Sequence, residues 1–180
     1  MVRKQSLPAG RNTPCRVAPV LVVLRGNSGS GKSTVARLLQ QELGWPTAVL
    51  EQDYFCRVVF DEADQRRLAH ADLLEVAAVH CLDQGHRVVL DGIFNARLYA
   101  GMLQRIAEHA DDARFSAFDL TFEETVRRHA MRPKASTFGV EEMRSWFHGW
   151  QPLPFVNEHR IGPELDPEAI VNRILAASGR

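Results

Sequence analysis

The chain has 180 residues, 45% hydrophobic and 24% charged, which suits one globular domain with a substantial core. Its 22 Lys and Arg balance 22 Asp and Glu, so no global field argues for nucleic acid or an anionic membrane, and neither is expected as a partner. No apolar run approaches the roughly 20 residues of a membrane span.

In chain order, residues 1–18 come first. Arg3, Lys4, Arg11 and Arg16 stand there without a single acid, among Pro8, Gly10 and Pro14. This reads as a flexible basic tail, and it lacks the apolar stretch of a secretory signal. Residues 19–180 are expected to form the domain. Val20 to Leu24 is a continuous apolar, β-branched run, the pattern of a buried strand. Gly26-Asn27-Ser28-Gly29-Ser30-Gly31-Lys32-Ser33-Thr34 follows and fits G-x-x-x-x-G-K-[ST] at every position. Val35, Leu38, Leu39 and Leu43 then recur at helical spacing. A strand, a glycine-rich loop and a helix make a phosphate cradle. Backbone N–H groups curl around phosphate oxygens, and the helix aims its positive end at the same anion. Lys32 is expected to reach the β- and γ-phosphates, and Ser33 to offer its hydroxyl to Mg²⁺. The plainer alternative is a turn of small residues.

Ala48 to Glu51 reads as a second strand ending at Gln52-Asp53. A helix is expected from about Asp64 to Asp83, with Ala69, Leu73, Val76, Ala77 and His80 as its inner stripe and Gly85 as its stop. Arg87 to Leu90 is a third strand, closed by Asp91-Gly92. Leu98, Met102, Leu103 and Ile106 mark another amphipathic helix. Phe115 to Leu120 is a fourth strand. Phe122 to Met131 is helical until Pro133 breaks it, and a shorter helix runs from Val140 to Phe147. His159 to Ile161 is a short last strand. Asp166 and Pro167 are the N-cap and first-turn proline of a final helix whose Ile170, Val171, Ile174 and Leu175 face the core.

Strands alternating with helices build a parallel sheet covered on both faces, and ligands then sit beyond the carboxyl ends of the strands. Asp53 and Asp91 both lie on that edge, beside the phosphate loop. A carboxylate at Asp53 suits the removal of a proton from a hydroxyl acceptor; one at Asp91 suits Mg²⁺. Either aspartate also fits an ordinary turn. Glu51 competes with Asp53, but strand alternation points it to the other side. Arg128 and Arg132 are four apart and share a helix face, as guanidinium groups closing over a transferring phosphate would; a solvated basic face is the alternative. Arg127 points off that stripe. Asn95 reads as a helix cap. The cysteines, Cys15, Cys56 and Cys81, are odd in number and lack metal-type spacing, and the seven histidines are scattered. Reduced thiols in a cytoplasm, with no transition-metal site, are expected.

From Val20 onward, the phosphate loop, Asp53, Asp91-Gly92 and the arginines before Pro133 together resemble the small P-loop kinases. That group includes adenylate, shikimate and gluconate kinases, chloramphenicol phosphotransferase and the zeta-type toxins. The resemblance implies a three-layer α/β sandwich with a five-stranded parallel sheet and a short helical lid at roughly 127–150. It implies ATP and Mg²⁺ as cofactors, Asp53 at the acceptor, and Arg128 and Arg132 on the lid. The expected activity is transfer of the γ-phosphate to a hydroxyl of a small-molecule acceptor: a metabolite, nucleoside, sugar or antibiotic. The segment after Asp91 departs from the Gly-Phe-Pro-Arg of monophosphate kinases, which argues against a nucleotide acceptor. A regulatory NTPase that hydrolyses ATP as a switch is the alternative; no guanine-reading N-K-x-D is found.

Overall fold

β1 (Val20–Gly26) sits in the middle of the molecule, and its five residues from Leu21 to Arg25 are buried. The computed structural model describes residues 18–61, 68–131 and 139–177. Around β1 the chain builds a five-stranded parallel sheet in the order β2-β3-β1-β4-β5, from β2 (Thr47–Glu51), β3 (Arg87–Gly92), β4 (Asp112–Phe118) and β5 (His159–Ile161). Parallel neighbours need crossover connections, and helices supply them: α1 (Lys32–Leu43), α3 (Ala69–Asp83), α4 (Ala96–Ala107), α5 (Phe122–Ala130), α6 (Val140–Trp146) and α7 (Pro167–Ala176). A short α2 (Gln52–Tyr54) leaves the end of β2 and widens into a π-helical stretch, Phe55–Val59.

The two faces of the sheet follow the strand period of two. Leu21, Val23, Val88, Leu90 and Phe115 pack against Leu74, Ala78 and Leu82 of α3 and Tyr99, Met102, Leu103 and Ile106 of α4. Val22, Leu24, Val89 and Phe118 pack on the opposite face against Val35, Ala36 and Leu39 of α1 and Ile170, Val171 and Ile174 of α7. Each such aliphatic side chain taken fully out of water contributes about 1.5–3 kcal/mol, so the two layers hold the phosphate loop from both sides.

Most expected elements appear near their expected positions; residues 64–67 of the helix expected over 64–83 lie outside the described residues, β4 runs from Asp112 to Phe118 rather than from Phe115 to Leu120, and two helix faces need correction. The inner stripe of α3 is not Ala69, Leu73, Val76, Ala77 and His80. His70, Ala71, Leu74, Ala78 and Leu82 are buried instead, while Leu73 is 40% and Val76 64% exposed. The helix, AHADLLEVAAVHCLD, is apolar around most of its circumference, so periodicity alone does not select a face. The deciding contact is long-range: His70 Nε2 lies 2.9 Å from Tyr99 Oη, which keeps a polar ring satisfied inside the core. The same tyrosine displaces Leu98, now 44% exposed, from the buried face of α4. β4 starts at Asp112 and ends at Phe118, in register with the whole of β1. β5 and the Asp166 cap of α7, whose side chain accepts a hydrogen bond from the Ala169 N–H, stand where expected.

Candidate active site

The loop between β1 and α1 turns through left-handed conformations at Gly29 (φ 81°) and Gly31 (φ 104°). Gly29 meets a second demand. A Cβ there would stand 2.5 Å from the Thr125 carbonyl oxygen and 3.2 Å from the Met143 side chain, so the tip of the loop is wedged between α5 and α6. Helix α1 opens at Gly31 with no side-chain cap and no acid in its first turn. Its positive end is therefore left for an anion. Lys32 is 7% exposed, and its Nζ donates to the Asn27 carbonyl (2.9 Å) and to Ser30 Oγ (3.3 Å). Its ammonium thus lies across the concave side of the loop. Ser28 and Ser33 are half-buried, and Thr34 is exposed.

Asp91 is the register partner of Leu24 on β1 and of Glu51 on β2. It shares the face of Val89, which packs against α1, and is only 4% exposed. Its carboxylate therefore projects to the side of the sheet that carries Lys32 and Ser33. Glu51, half-buried, lies on that same side by the same alternation; the sequence reading set it aside from Asp53, and the structure places it beside Asp91. Asp53 lies in the first turn of α2 and is 73% exposed. Its Oδ1 accepts from Arg57 Nε at 2.5 Å, one turn on, and the Arg57 guanidinium lies 4.9 Å above the ring of Trp146 on α6.

Arg128 reaches the phosphate loop. Its Nη1 donates to the Ser30 carbonyl (3.2 Å), its Nε to Glu124 (2.6 Å) and its Nη2 to the Pro163 carbonyl (3.0 Å). It is thereby tied to the loop, to α5 and to the β5–α7 connection. Hydrogen bonds from Arg127 and Arg128 hold the Glu124 carboxyl down at about 2. Arg127 is spent on Glu124 at 2.8 Å and is largely exposed. Arg132, Pro133 and Lys134 lie outside the described residues. Beside Arg128 opens a cavity of about 320 Å³ lined by Gly31, Thr34, Phe118, Leu165 and Pro167, of a size that takes a small flat ligand. Asn95 caps α4, its side chain accepting from the Arg97 N–H at 2.9 Å.

Three supports of the site were not read from the sequence. Arg25, one residue before the loop, is 3% exposed. It donates to Glu158 Oε2 (2.8 Å), the Phe94 carbonyl (3.1 Å) and the Gln151 carbonyl (2.9 Å). Asn27 clasps the backbone of His148 in both directions: Nδ2 donates to its carbonyl at 2.6 Å, and Oδ1 accepts its N–H at 3.0 Å. Gln52 accepts the Ile93 N–H at 2.7 Å and donates to Tyr99 Oη at 2.7 Å. It packs so tightly on Gly92 that a Cβ there would lie 2.6 Å from Gln52 Oε1. The glycine of Asp91-Gly92 is thus explained by close approach inside a strand rather than by a turn. The sequence placed Asn27 in the phosphate-binding loop, but its side chain is bonded to the His148 backbone; Gly92 was the one other signal that pointed to any of the three.

Among the described residues no group of three or more His, Cys, Asp or Glu is placed to hold a metal ion. Ser33 and Asp91, on the same side of the sheet, offer a hydroxyl and a carboxylate, the kinds of oxygen that could hold Mg²⁺ with water and phosphate completing its shell. No helix of the described residues is long and apolar enough to cross a membrane.

A family model described as an AAA domain, AAA_33, matches residues 21–148, well over half of the chain. No curated protein matches the chain by sequence. Among solved structures, the APS kinase CysC of Mycobacterium tuberculosis in complex with AMPPNP and APS superposes with a TM-score of 0.71 at 20% identity, over 88% of this chain and 96% of that one. A sugar kinase from Janibacter gives 0.61 at 17% identity, over 88% and 92%. A gluconokinase from Sinorhizobium meliloti gives 0.59 at 20% identity, over 89% and 92%. At such identities the likeness is one of fold. The chain belongs to the AAA_33 family, and its fold is that of the small P-loop kinases.

Proposed function

We propose that the protein is an ATP-dependent kinase that transfers the γ-phosphate to a hydroxyl of a small molecule. The observation that carries this reading is the convergence of an uncapped helix start, a buried Lys32 and the Asp91 carboxylate on one side of one sheet edge. The 320 Å³ cavity beside the loop has the position and size for the base of the nucleotide. Lys32 and Arg128 neutralise charge that spreads over the phosphate oxygens as the bond to the leaving group lengthens. Ser33 and Asp91 would hold Mg²⁺, which when bound would offset the charge on the phosphates. Asp53, exposed just past the carboxyl end of β2, orients the acceptor hydroxyl and accepts its proton. Its partner Arg57, one turn on, holds that carboxylate through a hydrogen bond of 2.5 Å. Arg132 joins Arg128 on the phosphates in this reading. The three cysteines of the sequence, odd in number and without metal-type spacing, accord with a cytoplasmic setting.

The test is ATP turnover by the purified chain with Mg²⁺, alone and with a panel of metabolites, nucleosides, sugars and antibiotics. ADP release that depends on one acceptor, with that acceptor gaining the mass of one phosphate, is the expected result. ADP release indifferent to every acceptor would make water the acceptor and the protein a hydrolytic switch. No ATP turnover or binding under any condition would end the kinase reading.

A further inference from the structure

Two halves of the cleft meet through one short segment. On the acceptor side, Asp53 holds Arg57, and Arg57 lies over Trp146 at 4.9 Å. Two residues later His148 is clasped by the side chain of Asn27 through two hydrogen bonds of 2.6 and 3.0 Å. The carbonyl of the same Asn27 accepts from Lys32 Nζ at 2.9 Å. The Asn27 amide therefore does not face the phosphate side of its own loop. It is committed, donor and acceptor both, to backbone that follows α6. Neither Arg57 nor Trp146 lines the 320 Å³ cavity, yet the chain of contacts from Arg57 to Lys32 is unbroken.

We propose that Trp146–His148 is a bridge that couples the Asp53–Arg57 pair to the phosphate loop, so that Arg57 and Trp146 are positioning residues for nucleotide binding. The proposal rests on the loop's binding a nucleotide, as argued above, and adds that the acceptor half of the cleft sets how well it does so. When Arg57 sits on Trp146, the segment is held where His148 can clasp Asn27. That clasp holds the Asn27 carbonyl against Lys32 and fixes the curvature of the loop. A ligand that drew Arg57 away from Trp146 would be felt at Lys32. Coupling of this kind is carried by contacts with discrete arrangements, and double-variant cycles measure it directly.

The experiment is calorimetric titration of Mg²⁺-AMPPNP into the full chain and into Arg57→Ala, Asn27→Ala and the double variant. Arg57→Ala should weaken binding about 5-fold or more, the lower end of ordinary coupling between sites, and the double variant should bind no more weakly than the weaker single one. Amide exchange at His148, whose N–H is donated to Asn27 Oδ1, should accelerate in Arg57→Ala as well as in Asn27→Ala. A merely structural role for Arg57 would lower the melting temperature and leave both readouts unchanged. If Asn27→Ala does not fold, Asn27→Ser, an uncharged side chain too short to clasp His148 from both sides, takes its place in the cycle. Effects that multiply in the double variant, or wild-type AMPPNP affinity in Arg57→Ala, overturn the bridge while leaving the kinase reading intact. Failure of the wild-type chain to bind AMPPNP overturns both.

Discussion

Replacing Arg25 with methionine tests the foundation of the phosphate loop. Arg25 and Glu158 form an ion pair at 2.8 Å with side chains 3% and 1% exposed. Methionine fills much of the same volume but strands the Glu158 carboxylate. Its Oε2 would keep only the Leu153 N–H at 3.1 Å, and its Oε1 already has no hydrogen-bond partner among the described residues. The carbonyls of Phe94 and Gln151 would lose their donors as well. Removing one member of a buried pair costs about 3–5 kcal/mol, because the other charge stays desolvated. In a chain of this length each kcal/mol lowers the melting temperature by about 2–4 °C, so Arg25→Met should melt roughly 6–20 °C below wild type. Calorimetry and urea denaturation read this, the latter as a lower midpoint at unchanged slope. Adding Glu158→Gln should recover part of the loss, since it removes the stranded charge. A single variant melting within about 2 °C of wild type, less than the effect of 1 kcal/mol, would refute the reasoning.

Other outcomes can be checked beside it. Lys32→Ala should keep the fold and lose about 10²–10³-fold in phosphoryl transfer, the scale of one preorganised donor; turnover near wild type would remove the assigned role. Asp53→Asn, whose amide oxygen can still accept from Arg57, should cut turnover while leaving AMPPNP affinity nearly intact, whereas Asp91→Asn should raise the Mg²⁺ concentration needed; titrations of each variant that showed the reverse would exchange the two roles. Gly29→Ala should destabilise more than Gly31→Ala. Both pay about 1–3 kcal/mol for a left-handed backbone, but only the first drives a Cβ to 2.5 Å from a backbone oxygen, against 3.8 Å to a flexible Arg128 tip in the second; equal melting temperatures would contradict this. Glu124, depressed from 4.5 to about 2 by Arg127 and Arg128, favours the folded state above its unfolded value, and that contribution is lost as pH falls from 4.5 towards 2. The melting difference between wild type and Glu124→Gln should shrink across that window, modestly because the site faces solvent.

Local chemistry determined much of this protein from the sequence alone. The phosphate loop is one contiguous strand–loop–helix unit, so residues Gly26 to Thr34 announce it within a single window, although Arg25, His148 and Thr125 support it from outside. Asp166-Pro167 and Asn95 announced their caps for the same reason: a cap is a contact over three residues or fewer. Alternation of strands and helices carried the parallel sheet, because crossover connections leave no other economical arrangement. The tertiary structure decided what no window of sequence holds. Arg25 finds Glu158 across 133 positions and Asn27 finds His148 across 121, and no periodicity announces such pairs. The buried face of α3 was chosen by Tyr99, 29 residues from His70, since the helix itself is apolar on both sides. Glu51 and Asp91 were set side by side by strand register. Arg25, Asn27 and His70 are buried polar groups satisfied by distant segments, and the cost of leaving such a group unpaired favours one packing over its alternatives.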